Sequence, residues 1–245
     1  MKKLILLAMV AAAAVSSQAA IMYDCMTGVT AFTTSSSTPG FLFGDGATAI
    51  APTLQTGDHW EINSIDFGMF FLGAQTYASG QLVAKIEVFS SYTPGNVAPV
   101  SVMGTSIGSA FYSIGAISST GNAAFALTGG PLGTPLVLPV GASTMGWTLS
   151  FFDSLNNNAR IGTVRAAFTT AIVPSVGTSP IGFYRDADDN GIIDSTDARV
   201  FGTGTDLSDN MIIRFNATSV PEPASFAVLG LGLLGLVSRR RRSNK

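Results

Sequence analysis

Leu82-Val83-Ala84-Lys85-Ile86-Glu87-Val88-Phe89 decides the fold. Leu82, Ala84, Ile86 and Val88 share one parity, so an extended chain turns a continuous apolar row to one side and the Lys85/Glu87 pair to the other. That pattern predicts a half-buried strand. The same period of two recurs at Met145, Trp147, Leu149 and Phe151, and at Met211, Ile213 and Phe215 against Ile212, Arg214 and Asn216. From Trp60 to Leu72 the apolar run is longer and changes phase. Trp60 and Ile62 hold one parity and Ile65, Phe67, Met69 and Phe71 the other, which predicts a bulge or bend near Asn63-Ser64.

Between these runs stand clusters that read as turns: Thr38-Pro39-Gly40, Gly44-Asp45-Gly46, Thr93-Pro94-Gly95-Asn96, Gly129-Gly130-Pro131 and Asn156-Asn157-Asn158. No stretch of the body carries ten helix formers at a period of 3.6. The segment from Gly104 to Gly146 reads either as short strands joined by loose loops or as partly disordered, with Phe111, Ile114, Phe125, Leu127, Leu136 and Leu138 as its core contributors. Together these signals predict an all-β domain over residues 20–219, an antiparallel β-sandwich of jelly-roll-like form. Two hundred residues suffice for one core of that kind. The body holds fourteen acidic and six basic residues, a net charge of −8, which argues against nucleic acid as a partner. Cys25 is the single cysteine, so no intramolecular disulfide forms and the thiol reads as a small buried hydrophobe.

Both ends of the chain look like addresses. Met1-Lys2-Lys3, the apolar stretch Leu4 to Val15 and Ser17-Gln18-Ala19 have the layout of a secretory signal peptide over residues 1–19, with the mature chain starting at Ala20. At the other end, residues 220–245 comprise Val220-Pro221-Glu222-Pro223, a mostly apolar stretch and the cluster Arg239, Arg240, Arg241 and Arg242. The fourteen residues from Ala224 to Val237 would rise roughly 21 Å as a helix, short of the ~30 Å hydrocarbon core. The expectation is a marginal, temporary transmembrane helix over 224–238, its arginines retained on the cytoplasmic side. An ordinary single-pass anchor is the plainer alternative.

Pro-Glu-Pro, a short apolar helix and a closing arginine cluster, in that order and at that end, resemble the PEP-CTERM sorting signal of exported proteins in Gram-negative bacteria that make envelope and exopolysaccharide. The resemblance covers about a tenth of the chain. It implies that exosortase, a membrane-embedded transpeptidase-like enzyme, recognises Pro221, Glu222 and Pro223 and removes the tail.

A different chemistry is spelled by Asp186 to Asp197, Asp-Ala-Asp-Asp-Asn-Gly-Ile-Ile-Asp-Ser-Thr-Asp. Against a twelve-residue calcium loop, Asp186, Asp188 and Asn190 take positions 1, 3 and 5, and Gly191 makes the sharp turn at 6. Ile192 offers a carbonyl at 7, Asp194 falls at 9 and Asp197 at 12. The predicted cofactor is structural Ca²⁺ of modest affinity, about 10⁻⁴ to 10⁻³ M, because Asp197 is a methylene shorter than the usual glutamate. A solvated acidic turn on Asn190-Gly191 is the competing reading. The loop is similar to those of dockerin modules, but only one copy is present and Gly202 and Gly204 break the helix such loops precede, which argues against cohesin docking.

Other motifs carry little. Gly104-Thr105-Ser106-Ile107-Gly108 spells a nucleophile elbow, yet the only histidine, His59, lies upstream. Gly230 to Gly235 spells a dinucleotide fingerprint inside the apolar tail, with no βαβ unit around it. Asp66, Glu87 and Asp153 form a glycosidase only if two of them meet in space. Trp60, Trp147, Tyr77, Tyr92, Tyr112 and Tyr184 would stack on sugars only if exposed, and core packing is the plainer expectation for both tryptophans. The sequence thus predicts an exported, non-enzymatic structural protein of the cell envelope or extracellular polysaccharide matrix. A carbohydrate-binding module or adhesin is the first alternative and a glycan-active enzyme the second.

Overall fold

The computed structural model describes residues 19–29, 42–54, 57–94, 102–155, 159–169, 174–179, 182–186, 188–194, 197, 199–200 and 210–221. Among them there is no helix. Eight strands carry the architecture: β1 (Ala19–Asp24), β2 (Leu42–Ala47), β3 (His59–Phe71), β4 (Leu82–Phe89), β5 (Ser106–Ser113), β6 (Ala123–Leu127), β7 (Met145–Asp153) and β8 (Ile213–Val220). They interleave as β1-β8-β3-β6 in one sheet and β2-β7-β4-β5 in the other, every pairing antiparallel. This winding is a jelly roll, so the expected sandwich is present.

Alternation places the core as the sequence predicts. Leu82, Ala84, Ile86 and Val88 are fully buried between the sheets, while Lys85 and Glu87 face outward and pair at 2.9 Å. Trp147, Leu149 and Phe151 of β7 meet Tyr23, Phe67 and Phe215 from the opposite sheet in one cluster. Burying rings of this size supplies most of the driving force, roughly 1.5 to 3 kcal/mol for each large apolar side chain.

β3 contains the predicted bulge. Asn216 pairs with Ser64 and Ala217 with Ile62, so Asn63 is the extra residue. Its insertion switches the inward parity, which lets Trp60 and Ile62 and then Ile65, Phe67, Met69 and Phe71 all lie in the core.

Two expectations need correction. Gly44-Asp45-Gly46 is not a turn but the middle of β2, paired with Gly146, Trp147 and Thr148. The glycines are there because side chains lie on top of them: a Cβ on Gly46 would sit 2.2 Å from the Tyr92 ring, and one on Gly44 would sit 2.8 Å from Ile193 Cγ1. Phe111 is not a core residue. On β5 the inward position belongs to Ala110, and Phe111 is 64% exposed. The rest of Gly104–Gly146 is short strands and connections, with Ile114, Leu136 and Leu138 buried and Phe125 and Leu127 partly so.

Candidate metal centre and sorting junction

The acidic loop leaves the short strand Phe183–Arg185, which pairs with β2 on one side and with the edge strand Arg199–Val200 on the other. Its entry is fixed by the Asp186 N–H, which donates to the Leu42 carbonyl at 3.1 Å. Ile193, 8% exposed, packs with Leu42, Tyr92 and Tyr184 over the gap left by Gly44, pinning the middle of the loop to the sheet.

Within the loop, the backbone folds around the Asp186 carboxylate, which is fully buried. It accepts the N–H groups of Asn190 at 3.0 Å and Gly191 at 2.8 Å. Gly191 has φ 91°, and a Cβ there would also meet Arg160 Nη2 at 2.5 Å, so only glycine fits the turn. Asn190 Nδ2 donates to Asp188 at 3.1 Å and Asp194 at 3.3 Å, while its Oδ1 accepts the Ile192 N–H at 2.9 Å. Asp197 accepts the Asp194 N–H at 3.0 Å.

Of the six predicted ligands, Asp186, Asp188 and Asp197 converge, each offering an oxygen within 4.8 Å of the others. Two oxygens bound to one Ca²⁺ at 2.3–2.6 Å lie no more than about 5 Å apart, so these three fit a common ion. Asn190 presents its amide nitrogen to Asp188 and Asp194, and a cation would require that amide to turn its oxygen to the same side. The Ile192 side chain points to solvent. Burial pushes the Asp186 carboxyl above its ordinary range, with Asp188 and Asp197 adding to the shift and the Gly191 N–H opposing it.

One participant was not read from the sequence. Arg160 reaches Asp186 at 3.3 Å and Asp189 at 2.8 Å, so a guanidinium already offsets part of the loop's charge. Asp189, at φ 56°, turns toward that arginine.

The other candidate sites come apart. Asp66 lies on the outer face of the first sheet, accepting the N–H of Gly129 at 2.9 Å and facing Arg214. Glu87 lies on the second sheet, where Lys85 and Ser106 donate to it. Asp153 pairs with Leu82 and Thr148 with Glu87, so Asp153 and Glu87 stand five positions apart along the strands, about 17 Å. Glycosidase carboxylates stand about 5 to 9.5 Å apart. Ser106 begins a strand rather than a helix, and it donates to Glu87 at 2.7 Å. Of the six aromatics considered as sugar platforms, five are buried and Tyr112 is half-buried, its hydroxyl accepting the Ile65 N–H at 3.0 Å. A shallow cleft lined by Ile107–Tyr112 and Gly130–Leu136 holds no carboxylate, histidine or lysine.

Two buried acids are further residues the sequence reading passed over. Asp45 lies in the core and accepts the N–H groups of Met211 at 2.9 Å and Gly46 at 2.7 Å. Asp24 ends β1. Burial alone would raise its pKa, but hydrogen bonds from Thr27, the Met26 N–H, Ser175 and Arg214 outweigh that and hold the carboxyl at about 2. Cys25 is buried, and burial followed by the Asp45 and Asp24 charges pushes its thiol up to about 12.

β8 keeps its pairing with β3 through Val220 opposite His59, and Pro221 follows at once. The N-terminal address up to residue 18, and Glu222, Pro223, the 224–238 segment and Arg239 to Arg242, lie outside the described residues. Among the described residues no helix is long and apolar enough to cross a membrane.

The PEP-CTERM protein-sorting motif matches residues 219–242, beginning inside the last two positions of β8. The chain therefore carries this signal, which marks an exported protein, transiently anchored through its C-terminal end and sorted by exosortase. No curated protein and no solved structure is matched by the chain.

Proposed function

We propose that the protein is a non-enzymatic structural component of the cell envelope or extracellular polysaccharide matrix, delivered by exosortase. The observation that carries this reading is the dispersal of its acids. Asp66, Glu87 and Asp153 are each engaged in structural contacts on different faces or ends of the sandwich, which leaves no convergent acid–base pair among them. On this reading, deletion of Pro221 to Pro223 leaves unprocessed chain in the inner membrane, and processed wild-type chain is recovered with the secreted polysaccharide. Unchanged release of the deletion variant would count against the exosortase route. Shortening of that polysaccharide by wild type, lost in Asp153→Asn or Glu87→Gln, would make it a glycan-active enzyme instead.

The acidic loop adds a structural role for Ca²⁺, held by Asp186, Asp188 and Asp197 with Asn190, Asp194 and the Ile192 carbonyl as further oxygens. The support is the shared reach of three carboxylates and the glycine-dependent turn at Gly191. At tenfold excess over the dissociation constant, binding contributes about 1.4 kcal/mol, roughly 3 to 6 °C in melting temperature for a domain of this size. The rise should follow calcium addition after chelation and vanish in Asp186→Ala/Asp188→Ala. An equal rise in both proteins would place the ion elsewhere, and no rise in either would remove calcium from this loop.

A further inference from the structure

We propose that, while its tail is anchored, the domain stands on the bilayer with one pole, marked by Leu54, Val137 and Val140, pressed into the lipid surface. The proposal rests on the anchored stage that the sorting motif implies. It adds which end of the sandwich touches lipid and through which residues.

Both addresses leave the domain at that pole. Ala19 pairs with Thr218, so the start of β1 lies beside the end of β8 in antiparallel register. The eighteen residues before Ala19 and the twenty-four after Pro221 therefore depart from neighbouring points. The tether is short. Pro221 is followed by Glu222, Pro223 and then the apolar stretch from Ala224, and three residue steps reach at most about 10 Å.

Apolar side chains surround this exit. Leu54, 56% exposed, donates its N–H to Ser219 Oγ at 3.1 Å, one residue before Val220. Val137, 47% exposed, pairs with Glu61, which in turn pairs with Thr218 on its other side. Val140, 48% exposed, sits two residues after Leu138, whose N–H donates to the Trp60 carbonyl, and Trp60 pairs with Ser219. All three thus belong to the end of the sandwich at which β8 leaves the sheet. Large apolar residues gathered on one exposed region mark an interaction surface, and a bilayer within 10 Å is the partner the tether supplies.

The exit end carries few acids: Asp58, which is buried and bonded to Ser219, and Glu61, which sits 3.5 Å from His59. The acidic loop is held at the opposite end: Asp186 bonds to Leu42, and Leu42 pairs with Ser150 late in β7, whereas Met145 at its start pairs with Ala47. Along β7 those two positions, Met145 and Ser150, are five residues or about 17 Å apart. The densest negative charge therefore points away from anionic headgroups.

Leu155, 76% exposed just beyond the end of β7, is a built-in control. The test places full-length chain in vesicles of phosphatidylethanolamine and phosphatidylglycerol containing nitroxide-labelled lipid. A bimane label is attached at Leu54→Cys, Val140→Cys or Leu155→Cys, and buried Cys25 does not compete for it. Seating in the headgroup region predicts loss of roughly half the fluorescence at positions 54 and 140 and little change at 155. Vesicle flotation with equal quenching at both poles overturns the seating and leaves anchorage intact, whereas failure to float overturns both. Protection of position 54 only after exosortase is added assigns the pole to the enzyme and overturns the lipid contact. If Leu54→Cys does not fold, Val140→Cys decides alone.

Discussion

Replacing Asp24 by Asn tests the clamp at the end of the terminal strand pair. Arg214 of β8 meets Asp24 of β1 at 3.2 Å, opposite it in register, and Thr27, Met26 and Ser175 complete the carboxylate's shell. Folding lowers this carboxyl from its ordinary 3.8 to about 2. A difference of about 1.8 units at 1.36 kcal/mol per unit is worth roughly 2 kcal/mol. Because the folded value is the lower one, that stability is fully present above pH 3.8 and drains away as pH falls through about 2. Urea unfolding of wild type and Asp24→Asn at a series of pH values isolates the effect, since the other acids titrate in both proteins. At pH 6 the variant should be less stable by about 2 kcal/mol, with the gap closing toward pH 2. A gap independent of pH would show that Asp24 acts through shape and not charge, refuting the assignment.

Two further substitutions probe the packing. Gly46→Ala drives a methyl into the Tyr92 ring and should cost about 1 to 3 kcal/mol by thermal or urea unfolding, and the same substitution should cost little more when made in a Tyr92→Ala background, itself destabilised by loss of a buried ring. Deleting Asn63 removes the bulge and turns either the Trp60/Ile62 pair or the Ile65–Phe71 row outward, so the chain should lose its cooperative transition and the near-ultraviolet signal of its tryptophans.

The strands were legible where period two coincided with a charged pair, as at Lys85/Glu87, because burial on one face alone leaves that signature. Even the bulge could be read, since a change of parity within an unbroken apolar run has few other causes. Gly44-Asp45-Gly46 departs from the turn its glycines predict, because their spacing here reports the Tyr92 and Ile193 side chains arriving from distant parts of the chain and not local freedom. At Phe111 parity outweighs hydrophobicity, because Ala110 takes the inward position. In the acidic loop the ligand spacing was visible, but Arg160 was not. Its place beside Asp186 depends on its own pairing with Phe152 at the end of β7, a register no local pattern encodes. Asp24 and Asp45 were illegible for a related reason, as their burial is made tolerable by backbone N–H groups and an arginine supplied by the fold.

The winding would also let the folded domain tolerate the loss of the segments at both of its ends. A jelly roll places its first strand beside its last, and here β1 is the edge strand flanking β8. Scission after Ala19 removes only the Ala19–Thr218 position, leaving Ala20 opposite Ala217 and the Asp24–Arg214 clamp at the far end of the same pair. Scission beyond Pro221 leaves β8 paired with β3 through Val220. Cuts at these two points would fall at the margin of the sheet's hydrogen bonding and would leave the buried rings between the sheets and the Asp24–Arg214 clamp in place. Because β8 stays ordered to within one residue of the Pro221-Glu222-Pro223 signal, folding of the sandwich fixes where that signal is presented.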